Sequence, residues 1–160
     1  MVRIILLSFL FSGISLTLFS QEDSKIYTLG QDDSALLQDH NQLLVAVCDY
    51  DIDKAFTAWM SMMTAIEEFA EVTEFEKLNG TKMWIKVLWD ENGGIDHLGY
   101  FLQPDSRYVP EEELSTFLEA FIETYVMDIT STSKYHHYGK ISFPTFYVTE
   151  SEEEVVENDN

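Results

Sequence analysis

The stretch MWIKVLWDENGGIDHLGYFLQ, residues 83–103, decides the fold. Met83 to Trp89 is rich in strand-forming residues and contains no glycine or proline. Asp90-Glu91-Asn92-Gly93-Gly94 reads as a turn, because glycine reaches positive φ without steric cost and asparagine tolerates it. Ile95 to Gln103 alternates again, so the whole reads as a β-hairpin, closed off by Pro104-Asp105-Ser106. The period of two puts Trp84, Lys86 and Leu88 on one face of the first strand and Met83, Ile85, Val87 and Trp89 on the other. In the second strand Leu98, Tyr100 and Leu102 lie opposite Ile95, His97 and Phe101. Both faces are thus partly apolar. The plain expectation is that flanking segments cover both; the sharper one is an aromatic patch, with Trp84 and Tyr100 in it, left open to a partner.

Moving outward, Ile52, Phe56, Trp59, Met63, Ile66 and Ala70 recur at three- and four-residue spacing and predict a helix over 52–70. Asp49, Asp51 or Asp53 can cap its start. On the other side, Pro110 followed by Glu111, Glu112 and Glu113 is a helix start, with three acids on the positive end of the dipole. Leu114, Phe117, Leu118, Phe121, Ile122 and Tyr125 then keep one face of a helix over 111–126. Residues 127–139 read as a polar loop and KISFPTFYV, 140–148, as a last strand. Pro144 has no N–H to give a neighbour, which places this strand at an edge or bulges it. Its alternation sets Ile141, Phe143, Thr145 and Tyr147 against Ser142, Phe146 and Val148. The short run 42–48 fits either a strand or a helix lead-in. The expected class is α+β: an antiparallel sheet, hairpin 83–103 plus strand 140–148, packed against helices 52–70 and 111–126. Ile85, Val87, Phe117, Phe121 and Tyr125 are its expected core.

Residues 1–20, MVRIILLSFLFSGISLTLFS, carry one base near the start and then an apolar run without acids. That is the pattern of a secretory signal peptide, cleaved near Ser20-Gln21; the run is short for a span of about 20 residues. The expected location is therefore exported, periplasmic or secreted, with no membrane span after cleavage. Residues 21–41 read as an acidic linker with little structure of its own, 42–148 as a single domain, and 149–160, with six acids and no base, as a disordered acidic tail. Acids outnumber bases 29 to 9, a net charge of −20, which disfavours nucleic acid and anionic membrane surfaces as partners. Cys48 is the only cysteine, so no disulfide forms within the chain; it sits in an apolar run and reads as a buried thiol, with inter-chain pairing as the sharper alternative.

Three of these features together resemble the C-terminal domain of TonB-type proteins, in variants common among Bacteroidetes. They are a helix leading through Gly80 into GTKMWIKVLW, the hairpin turn DENGGI, and the closing strand ISFPTFYV with a proline near its aromatics. Helix 111–126 falls where the family has its main helix, so the resemblance spans about residues 52–148. It implies an envelope location and a sheet edge that pairs with a short strand of a partner. The family domain has no catalytic residues, so none carry over. A long proline-rich segment and a basic, arginine-bearing surface, both usual in that family, are missing here, and energy transduction is not implied.

No constellation points firmly to catalysis. Asp49-Tyr50-Asp51-Ile52-Asp53 opens like a calcium loop, but an EF-hand wants glycine and glutamate where this chain has Lys54 and Met60. Tyr135-His136-His137-Tyr138 is a dense ring cluster, yet His136 and His137 lack metal-site spacing. There is no nucleophile elbow and no phosphate-binding glycine loop. The first functional expectation is an exported, non-enzymatic binding protein without a cofactor, acting on a protein partner through a sheet edge or apolar face that includes Ser142, Phe146, Val148, Trp84 and Tyr100. The second is an exported hydrolase or metal-dependent enzyme with its site near Asp96, His97, His136 and His137.

Overall fold

The hairpin forms where the sequence places it, and its turn shows why. The Asp90 carboxylate accepts from the backbone N–H groups of Asn92 (2.8 Å) and Gly94 (2.9 Å), which folds the chain back on itself. Gly93 has φ +87°, and a Cβ there would fall 2.2 Å from the Met127 carbonyl oxygen, so this position accepts nothing larger. The computed structural model describes residues 24–30 and 33–145. The expected leader 1–20, residues 146–148 of the expected last strand and the acidic tail 149–160 lie outside the described residues.

In chain order the elements are β1 (Ile26–Thr28), α1 (Ser34–Asp39), β2 (Gln42–Leu43), α2 (Leu44–Val47) and α3 (Ile52–Val72), then, after a 3-10 turn at Glu76–Leu78, β3 (Lys82–Trp89), β4 (Ile95–Leu102), α4 (Glu111–Ile122) and β5 (Tyr135–Ser142). The five strands form one sheet in the order β1-β4-β3-β5-β2. The class is α+β as expected, but the sheet is mixed: β3 pairs antiparallel with β4 and β5, whereas β1 pairs parallel with β4 and β2 parallel with β5. Residues 21–41, read as a linker with little structure of its own, thus contribute the outer strand β1 and helix α1, while the run 42–48 supplies both a strand, β2, and a helix, α2. Strands of two and three residues are too short to show an alternation, and long-range pairing alone reveals them.

The last strand is displaced from its expected place. It runs over Tyr135–Ser142 rather than 140–148, and the polar look of Tyr135-His136-His137-Tyr138 hides it. Residue for residue it pairs with β3 from Lys82↔Ser142 to Trp89↔Tyr135. Gly139 lets it pass under α3: a Cβ there would stand 3.3 Å from the Trp59 indole.

Helix α3 starts at Ile52 as expected, and of the three candidate caps it is the Asp51 side chain that accepts from the Lys54 N–H at 3.0 Å. Its inward face is Ala55, Trp59, Met62, Met63, Ile66 and Ala70. Ile52 and Phe56, expected in that face, are exposed because the small Ala55 takes the inward position in the first turns. Helix α4 stops at Ile122, short of the expected 126, and Val126 then bridges to Gly94. Ile85, Val87, Phe117 and Phe121 are buried, and Tyr125 packs half-buried against them, its ring stacked on Phe121 at 5.1 Å. Phe69 of α3 meets Phe117 and Phe121 of α4 at 5.5 and 5.8 Å, joining the two helices over the sheet. Cys48 is fully buried; burial pushes its thiol up, and Asp49 and Asp51 push the same way against Lys54, so it is a poor nucleophile.

Candidate functional site

Alternation along β3 sends Met83, Ile85 and Val87 into the core under α3 and α4, and Trp84, Lys86 and Leu88 to the opposite face. Directly paired residues share a face, so the register places Phe101 beside Trp84, and Lys140 and Tyr138 beside Trp84 and Lys86 on the β5 side. Trp84 is 37% exposed, Phe101 49% and Tyr138 49%. The Trp84 and Tyr138 rings stack nearly parallel, 13° apart with centroids at 5.2 Å, and the Lys86 ammonium stands 5.7 Å from the Tyr138 ring centre.

This second face is partly crossed by the N-terminal segment. β1 and β2 are the two outermost strands, and the chain between them reaches Lys86 and Asp96 on its way. Asp33 accepts from the Lys86 ammonium at 2.6 Å and from the Tyr27 hydroxyl at 3.3 Å. Burial, then the Asp33 charge, pushes the Tyr27 hydroxyl far above its ordinary range. His40 is buried; its Nδ1 donates to the Leu36 carbonyl (2.8 Å) and its Nε2 meets the Asp96 carboxylate (3.0 Å). Lys134 donates to the same carboxylate at 2.7 Å. Burial alone would raise the Asp96 carboxyl, but the hydrogen bonds from Lys134 and His40 outweigh it and hold it below the usual range. His136 Nδ1 donates to the His40 carbonyl at 2.6 Å and fastens the end of the crossing to β5.

Among the described residues the outer edge of β5 is paired only at its start. β2 pairs with Tyr135 and His136, and among the described residues no strand pairs with 137–142 on that side. The Phe143 N–H donates to Thr81 and its carbonyl accepts from Gly80, so odd-numbered residues of this strand face β3. Even-numbered Tyr138, Lys140 and Ser142 therefore turn their backbone groups to the open edge and their side chains to the Trp84 face. Helix α3 flanks the strand on the core side, with the Trp59 ring 4.5 Å from the His137 ring and Glu67 accepting from the Thr145 hydroxyl at 2.7 Å.

The residues named from sequence separate accordingly. Ser142 and Trp84 lie exposed on the same face in neighbouring rows, Ser142 paired with Lys82 and Trp84 with Lys140. Tyr100 does not belong with them. It is 4% exposed on the core face, its hydroxyl 3.0 Å from Ser115 Oγ and 3.3 Å from the Glu111 carbonyl, because it shares a row with Ile85 rather than with Trp84. Phe146 and Val148 lie outside the described residues. Tyr138 and Phe101 complete the exposed cluster; Tyr138 was hidden in a stretch that looks like a loop.

Asp96, His97, His136 and His137 do not converge. His137 lies under Trp59 on the core face while His136 and His97 lie on the other, with Leu88 between them in the same row. Burial, and then the neighbouring His136, pushes the His137 imidazole down; burial likewise pushes His97 down. Among the described residues no three His, Cys, Asp or Glu side chains are placed to hold a metal ion. A cavity of about 750 Å³ at the end of α3 has Glu67, Glu71, Glu74 and Glu76 around Phe75 and Phe143. Its Glu67 is already engaged by Thr145. Among the described residues no helix is long and apolar enough to cross a membrane. No protein-family model matches this chain, and neither a curated protein nor a solved structure matches it.

Proposed function

We propose that this chain is an exported, non-enzymatic envelope protein that captures an extended segment of a protein partner on the outer edge of β5. The observation that supports it is the open edge beside the exposed Trp84–Tyr138 stack. An incoming strand gains main-chain hydrogen bonds along Tyr138–Ser142, and the aromatic rings give its side chains an apolar surface. The edge already takes a strand of its own: β2 pairs parallel with its first two residues. The resemblance to TonB-type C-terminal domains, whose sheet edge pairs with a partner strand, supports the same reading, as the leader pattern of residues 1–20 supports export.

The test uses proline as a probe of the backbone. Lys140→Pro removes an N–H that faces outward and leaves the β3 ladder intact, so the domain should stay folded by circular dichroism. Extended peptides selected on the wild-type protein should protect the Tyr138, Lys140 and Ser142 amides from hydrogen exchange, and Lys140→Pro should abolish their binding. Binding that survives Lys140→Pro, or that leaves those amides unprotected, would refute edge capture.

A further inference from the structure

We infer that the strand captured at this edge is acidic, an inference that rests on edge capture as proposed above. β3 and β5 read KMWIKVLW and YHHYGKIS: three lysines and no acid, in a chain of 29 acids and 9 bases. The register Lys82↔Ser142, Trp84↔Lys140 and Lys86↔Tyr138 puts all three lysines on the open face, around the stacked rings. Lys82 is paired with Asp105 in an exposed ion pair, and Lys86 with Asp33 in a half-buried one. Among the described residues Lys140 makes no ion pair, and it is exposed next to the edge.

A strand added beside β5 would run about 4.8 Å away, with directly opposed Cβ atoms about 4.5–5.5 Å apart. A residue opposed to Lys140 would share its face, because directly paired residues do. A carboxylate there would give a direct ion pair to Lys140, which within the described residues has only the charge of Asp105, itself paired with Lys82, within reach. The rest of the molecule sharpens the choice. A basic segment is drawn to a chain of charge −20 in general but finds no free carboxylate opposite Lys140, because Asp33 and Asp105 on this face are already paired with Lys86 and Lys82. An acidic segment is repelled elsewhere and finds lysines only here along the sheet. At physiological salt, screening over about 8 Å weakens the long-range repulsion, while the contact with Lys140 survives it. The partner is therefore an extended segment with an acid at the position opposite Lys140 and apolar or aromatic groups toward Trp84 and Tyr138.

Three synthetic strands of equal length, alternating threonine or valine with glutamate, serine or lysine, test this on the full chain. Binding is read by titration calorimetry and assigned to the edge by protection of the Tyr138 and Lys140 amides. The glutamate peptide should bind at least tenfold more tightly than the serine peptide. Lys140→Glu should reverse that preference, so that the lysine peptide binds more tightly than the glutamate peptide and protects the same amides. Equal binding of glutamate and serine peptides, or preference for lysine at the protected edge, would overturn the acidic partner and leave edge capture standing. If no peptide protects those amides, edge capture itself fails. Self-association of the full chain that Lys140→Glu abolishes in sedimentation would assign the edge to a second copy and overturn the inference as well.

Discussion

The two faces of this sheet are built from neighbouring residues of the same strands and have opposite fates. Ile85 and Val87 are sealed under α3 and α4 with Phe117 and Phe121. Trp84, one residue away, stays exposed against Tyr138, and Lys86 is held by the crossing segment at Asp33 and by the Tyr138 ring. The covered face is largely apolar, whereas the other mixes the rings of Trp84 and Tyr138 with Lys82, Lys86 and Lys140. The amphipathic helices α3 and α4 lie over the first and leave the second half-open.

The strongest way to break this contrast is Phe121→Ala. Deleting a buried ring between α4 and the sheet should cost about 3–5 kcal/mol in a denaturant titration. A loss below about 1 kcal/mol would mean that the helix face is not the core. Next, Asp33→Ala removes the partner of half-buried Lys86 and the acceptor of Tyr27. Exposed pairs contribute about 0–1 kcal/mol and breaking buried ones costs about 3–5, so about 1–2 kcal/mol is expected, with faster amide exchange confined to residues 33–43. Global loss of protection would show that the crossing segment belongs to the core. Trp84→Ala should cost about 0.5–1.5 kcal/mol, the scale of an aromatic pair, because its ring is stacked but not enclosed.

The smallest effect should be a slope of stability with pH. Burial keeps the His97 and His137 imidazoles down, so the unfolded chain takes up protons first as pH falls through the ordinary imidazole range near ~6.5. Stability should therefore decline on acidification below neutrality. Asp96, whose carboxyl sits below the ordinary range, adds a further loss as pH falls through the carboxylate range and below. His137→Phe, which keeps a ring against Trp59, should flatten the melting-temperature slope between neutral and mildly acidic pH. An unchanged slope would show that His137 is not desolvated by Trp59.

What the sequence by itself determined is local. The Asp90–Gly94 turn, the Asp51 cap, the Pro110-Glu111-Glu112-Glu113 start and the α4 stripe all depend on contacts within a few residues, and those contacts are written in consecutive side chains. The candidate site was legible only in pieces: Trp84 and Ser142 were visible as alternating strand residues, while Tyr100 was assigned to the wrong face. Alternation separates two sets of side chains but carries no sign, so it cannot say which set the helices will cover. Tertiary structure alone decided that Tyr100 is buried and Trp84 is not, and that residues 26–28 and 42–43 are the outer strands. It also decided that, among the described residues, no strand pairs with the outer side of β5 beyond His136. Each of these is a pairing between segments far apart in the chain, and its free energy exists only once both partners are in place.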